Sequence, residues 1–155
     1  MTIAKKINTL CFQLESSMRG NEPFLRKVDV IKNEFDFAES SDKCITDTKR
    51  QQLNRVLHST RAFDSGLRLF IEKQGRFGNI TTPSSGGSVH ELQQKRAGQT
   101  FRQLSGIDAT NITNLITNER NKYMHVAGQF PTKAQADIII GKILDYYQRI
   151  LSLEF

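Results

Sequence analysis

The segment TKRQQLNRVLHSTRAFDSGLRLFIEKQ, residues 48–74, carries the clearest helical pattern in the chain. Its apolar residues recur every three or four positions, which places them on one face of an α-helix. No alternating strand pattern competes with it here or elsewhere in the sequence, so the segment favours an all-helical fold. The residues of the predicted face are Leu53, Val56, Leu57, Thr60, Phe63, Leu67, Phe70 and Ile71.

Two further helices are predicted before this segment. Residues 3–18 place Ile3, Ile7, Leu10, Cys11, Leu14 and Met18 at helical spacing, which predicts Cys11 as a small core residue. Gly20 ends that helix, Asn21 caps the next one, and Pro23 fits its first turn. Polar residues 39–47 predict a turn. The buried face of the second helix is predicted to be Phe24, Val28, Ile31, Phe35 and Ala38.

The second half of the chain starts with an irregular segment. Residues 75–88 are rich in Gly, Ser and Pro and predict a flexible loop, either lying over a cleft or disordered. Ser88 and Glu91 have the spacing of a capping box, which predicts a helix to about Leu104. Asp108 is predicted to cap a fifth helix. A second capping box, Thr132 to Gln135, opens a last helix that buries Ile140, Ile143, Leu144, Tyr147, Ile150 and Leu151.

These patterns predict one all-α domain over residues 1–155, an up-and-down bundle of about five to six helices. No apolar run approaches a membrane span, and residues 1–8 lack the apolar region of a signal peptide. Cys11 and Cys44 lack metal-ligand spacing, so a reducing cytoplasm is expected. His58 and His90 have no Cys or carboxylate at ligand spacing, so neither a metal nor a cofactor is expected.

The net charge of +6 is unevenly distributed. Residues 49–102 hold ten Lys and Arg but three acids, which favours a polyanion such as RNA as partner, unless the charges form an ordinary solvated helix face. Arg50, Arg61 and Arg68 fall on one line at the edge of the apolar face of the third helix. They either flank an RNA groove or lay their stems over the rim of the core.

Residues 118–128, NERNKYMHVAG, combine Arg120, Asn121 and His125 in the pattern R-N-x-x-x-H. An arginine, an amide and an imidazole between two apolar helices need polar partners or a chemical role. This Arg–Asn–His motif resembles the signature of HEPN domains, in which Arg is followed after four to six residues by His, often with Asn directly after the Arg. Ala127 stands where some members carry a modifiable Tyr.

The resemblance implies a small helical bundle that acts on RNA in toxin–antitoxin or antiviral systems. It further implies a homodimer in which both copies of the motif line one cleft, and an antitoxin or defence effector as a possible partner. Arg120, Asn121 and His125 would be the catalytic residues, and Lys122 is assigned to RNA binding with Arg50, Arg61 and Arg68.

The chemistry of the motif agrees with this assignment. When the 2′-hydroxyl of RNA attacks its own phosphate, the reaction needs a base, a cation for the crowded phosphate and a proton for the leaving oxygen. His125 can serve as base or acid, and Arg120 can grip two phosphate oxygens. Asn121 can orient the phosphate or hold Arg120 in place. Residues five apart on a helix diverge by about 140°, so the helix must end or bend near Tyr123, or two chains must combine their motifs.

Two alternatives stay open at this point. Arg120 and His125 can act simply as basic residues at a helix C-terminus, where they stabilise the helix dipole. The chain can also be a non-catalytic HEPN-like module that dimerises, binds RNA or nucleotides, or docks on a larger effector. The first prediction remains a metal-independent endoribonuclease.

Overall fold

A computed structural model of the 155-residue chain describes residues 1–80, 84–99 and 101–153. Every regular element in these ranges is helical, as the sequence predicts. The helices are α1 (Ile3–Ser17), α2 (Glu22–Glu39), α3 (Ser41–Cys44), α4 (Thr48–Lys73), α5 (Ser85–Gln93), α6 (Gly106–Ile112), α7 (Asn118–Met124) and α8 (Lys133–Leu151). A 3₁₀ turn spans Phe77–Asn79, and a π-helical turn, Thr113–Thr117, joins α6 to α7.

Contacts between side chains give the direction of each long helix. Lys27 on α2 bonds Glu72 on α4, and Glu34 lies 3.1 Å from Arg61, so α2 and α4 are antiparallel. Asp108 at the start of α6 pairs with Arg149 near the end of α8, which makes these helices antiparallel as well. Three further ion pairs join the remaining helices. Glu15 of α1 pairs with Lys32 of α2, Lys6 of α1 with Asp145 of α8, and Arg55 of α4 with Asp137 of α8. The bundle therefore runs up and down through α1, α2, α4, α6–α7 and α8.

The core forms around α4, which packs against α2, α5, α7 and α8. Tyr147 of α8 is fully buried there, and its hydroxyl donates a hydrogen bond of 3.0 Å to the carbonyl of Ala62. Its ring meets Phe63 edge to face at 5.6 Å. Gly66 makes this approach possible, since a Cβ at that position would lie 1.6 Å from the Tyr147 oxygen.

The first half of the chain closely follows the sequence prediction. Asn21 caps α2 through the backbone N–H of Phe24, with Pro23 in the first turn. Cys11 is buried in the core, and burial raises the pKa of its thiol to about 11, as expected for an unreactive core cysteine. The turn predicted at 39–47 contains the short helix α3. Leu53 and Leu57 of the predicted α4 face are only partly buried.

The segment between α4 and α6 differs from prediction. Ser84, not Ser88, caps α5, and the helix ends at Gln93 instead of near Leu104. Ser88 is buried, and Glu91 accepts hydrogen bonds from the buried Arg76 instead of closing a capping box. The loop predicted over 75–88 thus contains a 3₁₀ turn and the first residues of α5, while its residues 81–83 lie outside the described ranges.

A buried ion pair holds this segment in place. The Arg76 and Glu91 side chains are 5% and 1% exposed and lie 2.8 Å apart. Arg76 also donates to the carbonyl of Gln94 and stacks on the Phe101 ring, 4.8 Å from its centroid. Hydrogen bonds from Arg96 and Arg76, which outweigh burial, hold the pKa of Glu91 below its usual value. The charged network therefore links the end of α4 to the chain around α5.

A π-helical turn separates α6 from α7, the helix that carries the Arg–Asn–His motif. Ser105 caps α6 by accepting from the N–H of Asp108, so the cap predicted at Asp108 lies three residues too late. The π turn at Thr113–Thr117 adds a residue to the helical repeat and shifts the faces that follow. Ile112 and Ile116 are buried, whereas Leu115 is exposed.

The chain turns after α7 and enters the last helix. Gly128 has a positive φ of 83°, and Thr132 with Gln135 forms the predicted capping box of α8. Among the residues that the structure describes, no helix has the length and apolar character needed to span a membrane.

Candidate functional site

Arg120 lies on α7 where that helix packs against α4. Its Nε and Nη2 both donate to Oδ1 of Asn121, at 3.1 and 2.8 Å. Its Nη1 lies 3.8 Å from Oδ2 of Asp64 on α4. The arginine is half-buried, so two oxygen-bearing side chains limit the positions that its guanidinium can adopt. Asn121 therefore contacts Arg120 directly, while its predicted role towards a phosphate stays a prediction.

Asp64 is a residue of this site that was not predicted from the sequence. Its Oδ1 is buried and has no hydrogen-bond partner within the described part of the chain. Burial raises the pKa of the carboxyl to about 6, although the positive charges of Arg120 and Arg68 oppose that rise. A carboxylate kept in such surroundings is a common feature of functional sites. The sequence did hold a signal, because Asp64 interrupts the apolar row of Thr60, Leu67 and Ile71.

His125 lies directly after the last residue of α7 and is exposed. Its backbone N–H still donates to the carbonyl of Asn121, so the helical turn continues as far as the histidine. Arg120 and His125 therefore diverge by about 140° around the helix. No hydrogen bond joins their side chains within the ranges that the structure describes. A single chain would need the helix to end or bend near Tyr123. The helix instead continues to Met124, so it does not bring Arg120 and His125 together.

The residues predicted to bind RNA are spread over the surface. Arg68 lies near Asp64 and Arg120, close enough that its charge lowers the pKa of Asp64. Arg61 is one turn before Asp64 and pairs with Glu34 at 3.1 Å. Arg50 is fourteen residues before Asp64, or about 21 Å along the helix. The structure therefore brings Arg68 to the motif and leaves Arg50 apart from it.

Lys122, the fourth residue predicted to bind RNA, lies on α7. It pairs with Glu119 at 2.5 Å, and hydrogen bonding to that carboxylate raises the pKa of the lysine. Two residues along a helix turn it by about 200°, so Lys122 faces away from Arg120. Its charge lies outside the cluster formed by Arg120, Asp64 and Arg68.

The other two histidines have different surroundings. His58 lies 2.6 Å from a buried carboxylate oxygen of Glu34, and its ring contacts Phe37 at 5.3 Å between centroids. This contact could not be predicted from spacing, because 24 residues separate the two positions. His90 is exposed on α5 beside Gln94. Across the described ranges, no group of three or more His, Cys, Asp or Glu side chains has the arrangement of a metal site.

No known family model, curated protein or solved structure matches this chain. The resemblance to HEPN domains therefore stays a prediction from the Arg–Asn–His motif.

Proposed function

We propose that this protein is a HEPN-type endoribonuclease that cleaves RNA through the RNA's own 2′-hydroxyl, without a metal ion. The observation that carries the proposal is the setting of Arg120. Its guanidinium is held by Asn121 and by a mostly buried Asp64, with the charge of Arg68 nearby. Nε and one N–H of Nη2 donate to Asn121, so the outer N–H groups of Nη1 and Nη2 are the donors left for a phosphate.

Each side chain then has a definite task. Arg120 binds the non-bridging oxygens of the scissile phosphate and stabilises the charge that builds up as the 2′-oxygen attacks. Asn121 and Asp64 hold the guanidinium in place. His125, exposed to solvent, takes the proton from the 2′-hydroxyl or gives one to the leaving 5′-oxygen. The products carry a 2′,3′-cyclic phosphate and a 5′-hydroxyl.

The divergence of Arg120 and His125 supports a site built from two chains. In a symmetric dimer, the motif of one protomer and that of its partner face one cleft. The exposed His125 of one copy can then approach the phosphate held by Arg120 of the other. Two histidines in the cleft also provide a base and an acid at the same time. By the resemblance, such an enzyme would serve in toxin or antiviral defence, in the cytoplasm, with an antitoxin or effector as partner.

The test is cleavage of mixed-sequence RNA in the presence of a chelator, with analysis of the product ends. His125→Ala is expected to lower the rate by about 10²–10⁴-fold, the usual contribution of general acid–base catalysis. Arg120→Ala is expected to abolish cleavage, and Arg120→Lys to restore little, because an ammonium group lacks the planar fork. His90→Ala removes another exposed histidine and is the matched control, which should keep the parent rate.

A non-catalytic RNA-binding module is the second candidate function. The separation of His125 from Arg120 within one chain favours it, because a monomer would present them on different sides of α7. In that case the parent protein binds RNA but releases no cyclic-phosphate products. If His125→Ala cleaves RNA at the parent rate, His125 is not the acid or base, and the assignment of this motif as a nuclease site is wrong.

A further inference from the structure

A cleft of about 380 Å³ opens between the first turn of α4 and the chain that leads into α8. Thr48, Lys49 and Gln52 line one side, and Phe130, Pro131 and Lys133 line the other. Its volume is in the range of small-ligand sites in proteins. The residues that line it combine two cations, an amide and an aromatic ring.

The charges around the cleft are mostly positive. Lys49 is exposed, and the Lys133 side chain is 75% exposed. Asp137 lies 2.7 Å from Lys133 and also 2.7 Å from Arg55. Burial alone would raise the pKa of Asp137, but the hydrogen bonds from Lys133 and Arg55 outweigh it and the pKa is lowered. This carboxylate is therefore bound by two cations, and Lys49 adds a further positive charge.

The two helix ends at the cleft already have their own caps. Asp47 accepts from the N–H groups of Lys49 and Arg50, at 2.9 and 3.2 Å. Thr132 and Gln135 satisfy each other's backbone groups. Because these donors are occupied, an anion in the cleft would be held by the lysine side chains.

The cleft and the Arg–Asn–His motif both adjoin α4, at different positions along its axis. Along the axis of α4, Arg120 lies at the height of Asp64, to which it is paired. Gly128 and Phe130 lie at the height of Gln52, with which they line the cleft. These two levels are twelve residues apart on α4, or about 18 Å. The chain from α7 thus runs antiparallel to α4, and His125 lies between the two levels. A single strand held both at His125 and in the cleft would run along α4 in this direction.

We propose that this cleft binds a nucleotide of single-stranded RNA that flanks the cleaved phosphodiester. A phosphate lies between Lys49 and Lys133, and the attached base stacks on the Phe130 ring, with Gln52 as a hydrogen-bonding side chain. Stacking on an aromatic ring accepts any base, so the cleft adds affinity without a strong sequence preference. The inference rests on the proposed function in one respect, namely that the strand held here also reaches His125.

The experiment measures binding of a labelled single-stranded oligoribonucleotide to the full chain at several salt concentrations. The His125→Ala protein serves as background, so that the RNA stays intact. Adding Lys49→Gln and Lys133→Gln together is expected to weaken binding about tenfold and to lower the slope of log K against log salt by about 0.7 for each phosphate that the variant no longer neutralises. Phe130→Leu is expected to weaken binding about fivefold while leaving the slope unchanged.

The matched control replaces Lys5 and Lys95, two exposed lysines far from the cleft in sequence, with Gln. It removes the same charge and should leave the slope close to that of the background protein. If the control loses as much RNA affinity as the Lys49/Lys133 variant, the loss reflects net charge alone and the inference is overturned. An unchanged slope and affinity in the Lys49/Lys133 variant would overturn it directly, even if His125 proves essential for cleavage.

Three further outcomes bear on the inference and on the proposed function. If the parent protein cuts no RNA but the Lys49/Lys133 variant binds RNA more weakly than the background protein, the binding site is supported and the nuclease assignment is wrong. Displacement of the RNA by an acidic peptide at lower concentration than by unlabelled RNA would assign the cleft to a protein partner and reject the nucleotide. A parent protein that binds no RNA would reject both proposals.

Discussion

Asp64 carries a free-energy cost that the fold retains. Its carboxyl is mostly buried, one of its oxygens has no partner within the described ranges, and its pKa is raised from 3.8 to about 6. Arg120 and Arg68 reduce the cost of burial but do not cancel it. A shift of this size corresponds to about 3 kcal/mol of destabilisation at neutral pH. Retaining such a cost is understandable if Asp64 positions Arg120 for a substrate phosphate.

We predict that Asp64→Asn stabilises the protein at pH 8 by about 1–3 kcal/mol and lowers RNA cleavage. The folded state holds its Asp64 proton more tightly than the unfolded state, so the cost is fully present above pH 6. It decreases as the pH falls from about 6 and is gone below about 4, where both states are protonated. Denaturant unfolding of parent and variant at pH 8, 6 and 4 measures this trend.

The control for this prediction is Asp29→Asn, which removes an exposed carboxylate from α2. It should change neither the pH trend nor the cleavage rate. If Asp64→Asn is less stable than the parent at pH 8, the Arg120 pair contributes more than burial costs, and the assignment of Asp64 as a costly positioning residue is wrong.

The contact between α4 and α8 depends on a missing side chain. Gly66 leaves the space in which the Tyr147 ring lies, and the Tyr147 hydroxyl reaches the carbonyl of Ala62 through that space. Gly141, in the middle of α8, has nothing within 4 Å of a Cβ built on it. Gly66 and Gly141 therefore have opposite roles, since Gly66 is required by packing and Gly141 only weakens its helix.

We predict that Gly66→Ala destabilises the protein by about 3 kcal/mol, because Tyr147 must leave its position. Gly141→Ala is the matched control and should stabilise by about 0.5–1 kcal/mol, through the lower chain entropy of the unfolded state. Thermal and denaturant unfolding measure both. Combining Gly66→Ala with Tyr147→Leu should recover part of the loss, whereas strictly additive effects would contradict a clash between these residues.

The whole molecule presents one motif per chain. Arg120 lies against Asp64 of α4, while His125 is exposed at the C-terminal end of α7. The proposed reaction needs a cation, a base and an acid at one phosphate, and a single chain does not supply them in one place. The quaternary structure is therefore part of the proposed site.

We predict that the protein is a dimer at micromolar concentration and that its activity per chain falls on dilution below the dissociation constant of the dimer. Sedimentation velocity measures the first, and initial cleavage rates over a dilution series measure the second. Full activity in a preparation that sediments as a monomer would show that one chain suffices, and the two-chain site would then be wrong.

Local pattern was sufficient for most of the fold. The spacing of Val56, Phe63 and Leu67 predicts α4, and the Asn21 and Thr132 caps predict the starts of α2 and α8, because helix formation and capping depend on residues within one or two turns. The prediction was wrong around Ser88 and Asp108. At Ser88 the capping pattern lost to a long-range interaction, the burial of Glu91 against Arg76. At Asp108, Ser105 formed the cap three residues earlier.

The candidate site likewise has a part that the sequence predicts and a part that only the structure shows. The sequence by itself determined the motif, because Arg120, Asn121 and His125 lie within six residues of one another. Only the tertiary structure decided that Asp64 faces Arg120, that Glu34 bonds His58, and that Lys49 and Lys133 share a cleft. The partners in these contacts are far apart along the chain, and the packing of whole helices, which no local spacing encodes, brings them together.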